Sequence, residues 1–305
     1  MLSGLCAVTD PGMITAVVNT ADDTVMHGLH VSPDLDTVTY TLAGAVDPGT
    51  GWGLSGETWQ AMEELRACSG ERLGWFKLGD RDLGTHLYRT TRLAEGAALS
   101  AVTAEIARRW GVGIRLLPMS DDRVETRVVV AGDGPEEEIG FQEYFVGHRH
   151  DVAVRAVRFD GIDGAAAGPG VLEAIGAAGT IVICPSNPIV SIGPVLATDG
   201  IGAAVAARRL RVVAVSPIVA GRALKGPADR MLSELGHEPS VVGVARLWSP
   251  FAATLVIDRA DAHLQAAVEA AGMRPLVTSA VMTGPAEAAA LAATVLDAAG
   301  QPSPA

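Results

Sequence analysis

Aromatic side chains make up only 4% of this 305-residue chain, and cysteine occurs three times, at Cys6, Cys68 and Cys184. Three widely spaced cysteines build neither a disulfide framework nor a paired-thiol metal site, so buried free thiols in a reducing compartment are expected. There is no basic run. With a formal charge of -12, the surface would repel a phosphate backbone, which excludes nucleic acid as a partner. No apolar stretch approaches the roughly 20 residues that cross a bilayer, and the N-terminus lacks the basic and apolar regions of a signal peptide. A cytoplasmic protein without membrane contact is the expectation. Also missing are a Walker loop, G-x-S-x-G and H-E-x-x-H, which leaves nucleotide-triphosphate hydrolysis, serine esterase and zinc-protease chemistry without support.

What the chain does have is 49% hydrophobic residues, rich in alanine and glycine. Short apolar runs ending in turns recur, in "MITAVVNT", "IRLLPMS", "TIVICPSNP", "RVVAVSPIV" and "ATLVID". That rhythm predicts βα units, an α/β fold with a Rossmann-like three-layer core and a mostly parallel sheet. Helices are expected at 34–45, 58–68, 99–110, 170–178, 227–235, 262–271 and 285–299. The middle differs: "RVETRVVVAGDG", "EEIGFQEYFVG" and "VAVRAVRFDG" alternate like an antiparallel meander. The expected organisation is a nucleotide-binding core from 1–45 and 164–305, with 46–163 an inserted α+β lobe, and a frayed tail at Pro302 and Pro304.

Polar clusters follow four of the expected strands: "NTADD", "PMSDD", "PSNP" and "SPIVAG". Ligands of open α/β sheets bind outside the carboxyl ends of strands, so these loops are expected to share a crevice. In the first, Asp22 and Asp23 precede Asp34 and Asp36 with hardly a cation nearby. Gathered carboxylates resist ionisation unless a divalent cation or a substrate hydroxyl receives them, so Asp22, Asp23 and Asp36 suit magnesium or the deprotonation of an alcohol. Asp34 is expected to cap the following helix, while Asp121, Asp122, Asp80 and Asp82 equally suit caps and turns. Lys77 sits in "FKLGDRD"; Ser186 and Asn187 offer hydroxyl and amide groups; Arg222 and Lys225 sit in a loop resembling an anion site. His27 and His30 have no third soft ligand, and His148 and His150 are expected at the surface.

Taken in order, "VVNTADD", "SPDLDT", "FKLGDRD", "LPMSDD", "CPSNPIVSIGPVL" and "VAVSPIVAGRALKGPADRM" resemble one family across nearly the whole chain. It is the family of transferases that attach a phosphorylated three-carbon acid to the deazaflavin FO in making coenzyme F-420. The resemblance implies magnesium, a guanosine diphosphate-linked donor carrying phosphoenolpyruvate or 2-phospholactate, attack by the terminal ribityl hydroxyl of FO, and release of GMP. It implies FO contacts at Asp36 and Lys77, metal and reacting hydroxyl at Asp22 and Asp23, and the donor at Asn19, Ser186, Asn187 and Arg222. A homodimer is a further expectation of the resemblance. Alanine and glycine richness suggests a high-GC genome and tilts the donor toward the enolpyruvyl form. The resemblance also implies a first strand and a G-G-x-G-G turn, whereas "MLSGLCAVTDPG" enters at the helix expected after that turn. Two rivals stand beside the transferase: an FO-binding module without turnover, and a nicotinamide-dependent Rossmann oxidoreductase, which lacks a G-x-G-x-x-G here.

Overall fold

Each of the short apolar runs forms a strand, and the computed structural model describes residues 1–131 and 136–299. The expected frayed end at Pro302 and Pro304 and the meander turn at 132–134 lie outside the described residues. The chain forms two compact units, one of residues 15–153 and 157–169, the other of residues 1–14, 154–156 and 170 onward. The division groups residues 15–45, with the acidic loop, with the middle of the chain and not with its C-terminal half.

In the unit that carries the acidic loop, Thr15–Val18 pairs in parallel with Arg115–Pro118, Val18 opposite Pro118. Next comes an antiparallel hairpin of Thr24–Met26 and Leu29–Val31. Its turn holds His27 and Gly28 at positive φ, 54° and 80°, the left-handed pair that a two-residue hairpin needs. The three expected strands form one sheet, but in the order Glu137–Gly140, Glu125–Ala131, Ala153–Asp160, with the first strand in the centre and not the consecutive order of the expected meander; Glu125–Ala131 and Glu137–Gly140 pair antiparallel. Along its central strand Thr126, Val128 and Val130 are buried and their neighbours are not, the alternation of a strand with one covered face. Helices Pro33–Leu42, Gln60–Ser69 and Leu99–Arg109 fall close to their expected places.

Helix Asp82–Ala94 starts where "FKLGDRDLGTHLYR" is expected to pass from a strand into a helix, though its extent is not among the expected ranges and no strand directly precedes it. The residues it fully buries are His86 and Arg89, with Leu83 packed beside Val31, Phe76 and Leu78, so polar groups fill much of the face where an apolar periodicity is sought.

In the other unit four parallel strands run in the order Arg274–Thr278, Thr254–Asp258, Val212–Val215, Ile181–Ile183. Every residue of Val212–Val215 is buried, as a strand covered on both faces requires. Arg274–Thr278 escaped the sequence reading because Pro275 interrupts it; it occupies an end of the order, where proline is tolerated. The alanine-rich helix Pro285–Ala299 packs Leu291 and Val295 on Val213, Val215 and Val256. It meets the N-terminal helix Leu2–Val8 so closely that a Cβ on Gly4 would lie 2.1 Å from the Ala288 carbonyl oxygen. Small residues at that crossing are what let the two backbones touch. Among the described residues no helix is long and apolar enough to cross a membrane. The three cysteines are free thiols, but contrary to the expectation of burial Cys68 is exposed and Cys6 and Cys184 are half-buried.

Candidate functional site: an acidic turn closed by a buried arginine

At the end of Thr15–Val18 the chain must turn inside the unit, where backbone groups need internal partners. Asn19 supplies one: its Oδ1 accepts from Ala21 N at 2.9 Å, while its Nδ2 donates to Asp34 Oδ2 at 3.1 Å. The turn is pinned further by Thr126 N donating to the Ala21 carbonyl at 2.7 Å and by Gln142 Nε2 donating to the Asp22 carbonyl at 3.2 Å. Ser32 Oγ donates to Asp23 Oδ2 at 2.5 Å. Ser32 is also the residue before the Pro33–Leu42 helix, so Asp34 is not its N-cap as expected; it lies in the first turn and receives Asn19 instead. The remaining oxygens, Asp22 Oδ1 and Asp23 Oδ1, are buried and accept no hydrogen bond.

Burial, and after it the charge of Asp34, holds the Asp22 carboxyl well above the usual carboxylate range. Burial likewise raises Asp23, against the hydrogen bond from Ser32 and the charge of Arg89, and it raises Asp34. A carboxyl raised in the folded state stabilises the fold below its unfolded pKa, and that contribution is lost as pH rises through the folded value. The metal-free protein is therefore expected to melt at progressively lower temperature as pH rises from about 5 to about 8, above the unperturbed carboxylate range near 4. Asp34→Asn is expected to flatten that slope. A melting temperature that is constant or climbs across the window refutes the reading.

Asp36 is different. Arg89, only 2% exposed, donates to both of its carboxylate oxygens, Nη2 to Oδ1 and Nη1 to Oδ2, the latter at 3.1 Å. Arg89 Nη1 also reaches the His30 carbonyl at 3.3 Å and lies 3.3 Å from His86 Nδ1. His86 Nε2 is 3.2 Å from Asp82 Oδ2, and the Tyr40 hydroxyl donates to Asp82 Oδ1 at 2.6 Å while lying 2.8 Å from Thr85 Oγ1. Burial works against the charge of Asp82, yet the close His86 imidazole and the hydrogen bond from Tyr40 hold its carboxyl below the usual range. Burial, then the charges of Asp36 and Asp82, push the Tyr40 phenol upward. The result is a polar clamp joining the Pro33–Leu42 helix, the Leu29–Val31 strand end and the Asp82–Ala94 helix.

The cation that meets the acids is thus Arg89, which the sequence reading missed along with Ser32, Tyr40, Asp82 and His86 as partners. A signal was present: Asp82, His86 and Arg89 at i, i+4 and i+7 form one stripe on a helix, but of polar residues. Lys77 lies in the same unit, exposed between buried Phe76 and Leu78. Asp121 takes Ser100 N and Oγ at 2.6 and 2.8 Å, Asp122 takes Ala166 N at 3.0 Å, and Asp80 holds Thr58, Gln60 and Ala61. These three are caps and turn locks. His27 and His30 sit at the hairpin, and no group of three metal-ligating residues occurs among the described residues.

The other expected residues belong to the second unit. Asn187 Oδ1 accepts from Ile189 N and Val190 N at 2.9 and 3.4 Å, starting a π-helical turn at Pro188–Ile192, and its Nδ2 lies 3.7 Å from the Met231 sulfur. Ser186 beside it is half-buried. Arg222 is exposed in the small hairpin Ile218–Val219 with Arg222–Ala223, whose Ala220 N donates to Asp261 Oδ2 at 3.0 Å.

Comparison with known proteins points one way. Residues 1–291 match the family described as 2-phospho-L-lactate transferase CofD. The chain is 46% identical over 297 residues to the phosphoenolpyruvate transferase of Streptomyces griseus, covering 97% of this chain and 93% of that one. It is 44% identical over 289 residues to the enzyme of the same name from Mycolicibacterium smegmatis, covering 94% and 88%. A crystal structure of a UPF0052 family member from Bacillus halodurans superposes with a TM-score of 0.58 at 18% identity, over 97% of this chain and 94% of that one, a likeness of fold.

Proposed function

Because the chain belongs to the CofD family of 2-phospho-L-lactate transferases and is a transferase of coenzyme F-420 biosynthesis, we propose that it moves an enolpyruvyl-phosphate group to the deazaflavin FO. The donor is guanosine diphosphate-linked, the terminal ribityl hydroxyl of FO attacks its phosphorus, and GMP leaves. Relatives named phosphoenolpyruvate transferase at 44–46% identity favour the enolpyruvyl donor over the 2-phospholactyl one.

The observation that carries this reading is the pair of buried, unpartnered oxygens, Asp22 Oδ1 and Asp23 Oδ1, on an acidic turn. They fit magnesium, which is held by one or two carboxylates while substrate phosphates and water complete its octahedron. Magnesium would neutralise the charge developing on the transferred phosphate. Asp22 and Asp23 would hold the ion, and Asp23, steadied by Ser32, would take the hydroxyl proton of FO. Asn19 shapes the turn from which it also addresses the donor. Asp36, engaged by Arg89, is a positioning residue that offers the acceptor a fixed negative charge, and Lys77 addresses the deazaflavin from its exposed position. Ser186, Asn187 and Arg222 address the guanosine nucleotide, and a homodimer is the proposed assembly.

Purified protein with FO, magnesium and each donor is expected to give a mass-shifted deazaflavin and GMP, faster with the enolpyruvyl donor. Absence of product from both donors refutes the transfer; FO binding without product favours the binding module.

A further inference from the structure

Strand Thr254–Asp258 lies inside the four-stranded sheet and ends in "DRAD", two carboxylates three residues apart. Asp258 spends both of its oxygens on loop backbone: Oδ1 accepts from Ala260 N at 3.0 Å, capping the turn Arg259–Leu264, and Oδ2 accepts from Ala280 N at 2.8 Å. Asp261 is only 2% exposed, and an acid withdrawn that far from water needs partners that use its oxygens. Its Oδ2 reaches 41 residues back along the chain to accept from Ala220 N at 3.0 Å.

Ala220 and Gly221 are the central residues of the hairpin that pairs Ile218–Val219 with Arg222–Ala223, and their φ angles are 50° and 75°. A two-residue hairpin turn of that kind needs left-handed backbone at both positions and is ordinarily built from asparagine, aspartate or glycine. Alanine at the first position costs energy and stays there only where the surroundings hold it. Two side chains hold it here. Ser216 Oγ accepts from Ile218 N at 3.1 Å and donates to the Ile218 carbonyl at 2.9 Å, fixing the strand that enters the turn, and Asp261 takes the amide of Ala220 itself. The hairpin follows Val212–Val215, an interior strand, so it stands at the carboxyl end of the sheet, where ligands of open α/β sheets bind. Arg222 is exposed on its return strand, and among the described residues no side chain pairs with it, so the backbone of the turn alone decides where its guanidinium starts from.

We propose that Asp261 is a positioning residue for the donor: by pinning Ala220 in left-handed backbone it fixes the hairpin that presents Arg222 to the phosphates of the guanosine-linked donor. This rests on the donor reading of Arg222 given above. The oxygen matters here more than the charge, because its partner is a neutral backbone amide, and asparagine at the same place supplies an oxygen of the same reach. Without that oxygen nothing opposes the return of Ala220 to ordinary negative φ, and Arg222, two residues on, loses its register with the anion.

Asp261→Ala is expected to weaken GDP binding, read by calorimetry, and to raise KM for the guanosine-linked donor, each roughly tenfold, the scale of one hydrogen-bonded contact to an anion. KM for FO and kcat should stay within about threefold of the wild type, and Asp261→Asn should match the wild type throughout. Ala220→Gly, free of strain at a φ of 50°, is expected to recover most of the loss when added to Asp261→Ala. Arg222→Ala should weaken the donor at least as much, and Asp261→Ala should add nothing on top of it, as two residues acting through one contact require. Where Asp261→Ala fails to fold, Gly221→Val disturbs the same turn from its exposed side, where an added Cβ meets only the Pro239 carbonyl oxygen at 3.8 Å, and the same rise in donor KM is expected. GDP affinity and donor KM unchanged in Asp261→Ala, with Arg222→Ala weakening both, overturn the positioning role alone. A full additional loss in the double variant overturns it too, as does a lowered melting temperature with KM for donor and FO rising alike. If Arg222→Ala leaves GDP affinity and donor KM unchanged, the donor reading of Arg222 falls and the positioning role falls with it.

Discussion

Arg89→Met is expected to destabilise the unit of residues 15–153 by about 3–5 kcal/mol, the cost of removing one partner from a buried ion pair. Arg89 is fully enclosed, donates to both oxygens of Asp36 and touches the His30 carbonyl and His86. Without it, Asp36 stays buried as an uncompensated charge in a neighbourhood that already holds Asp22, Asp23 and Asp34, whose carboxyls burial has raised. The loss is expected to concentrate in the Pro33–Leu42 and Asp82–Ala94 helices, which the guanidinium joins. Hydrogen exchange of those amides, read beside urea unfolding, checks it. Arg89→Met combined with Asp36→Leu should recover most of the loss, because replacing both members of a buried pair by apolar groups is often neutral. A single-variant cost below about 1 kcal/mol would show the pair to be a surface-like bridge.

The second large effect concerns chemistry. Asp23→Asn is expected to lower kcat by roughly 10²–10⁴, the range lost when a positioned general base is removed. Its Oδ2 is occupied by Ser32 and its Oδ1 is buried without a partner, so the free oxygen is the acceptor that the amide replaces. Because asparagine matches aspartate in shape and carries no charge, the fold should be retained or slightly stabilised at neutral pH, where the ionised acids repel one another. The contrast separates the two residues: Arg89→Met loses structure first, while Asp23→Asn loses rate with structure intact. An Asp23→Asn enzyme within threefold of the wild-type kcat removes Asp23 from the reaction.

Much of the architecture is visible in local pattern. The "VVAV" of "RVVAVSPIV" is apolar throughout and lies in the interior of the four-stranded parallel sheet; "RVETRVVVA" alternates and forms the half-covered central strand of the three-stranded sheet. Both follow from the period-two geometry of strands and from whether one face or two are covered. Strand Arg274–Thr278 and the extent of helix Asp82–Ala94 were not visible, for opposite reasons. Proline breaks the donor pattern of the first, and the second buries charged groups on the face where apolar residues are sought.

The same limit divides the site. That Asp22 adjoins Asp23 and that Asp34 lies two residues from Asp36 is a property of the sequence alone, because like charges adjacent along the chain stay close in any fold; that the two pairs meet is decided by the fold, through contacts such as Asn19 to Asp34. Which cation answers them is decided there as well. Arg89 stands 53 residues beyond Asp36, on a helix whose partners at i-3 and i-7, His86 and Asp82, are buried with it or close beside it. Only packing that helix against Pro33–Leu42 creates the contact, and a pairing that arises from tertiary closure leaves no periodic trace along the chain.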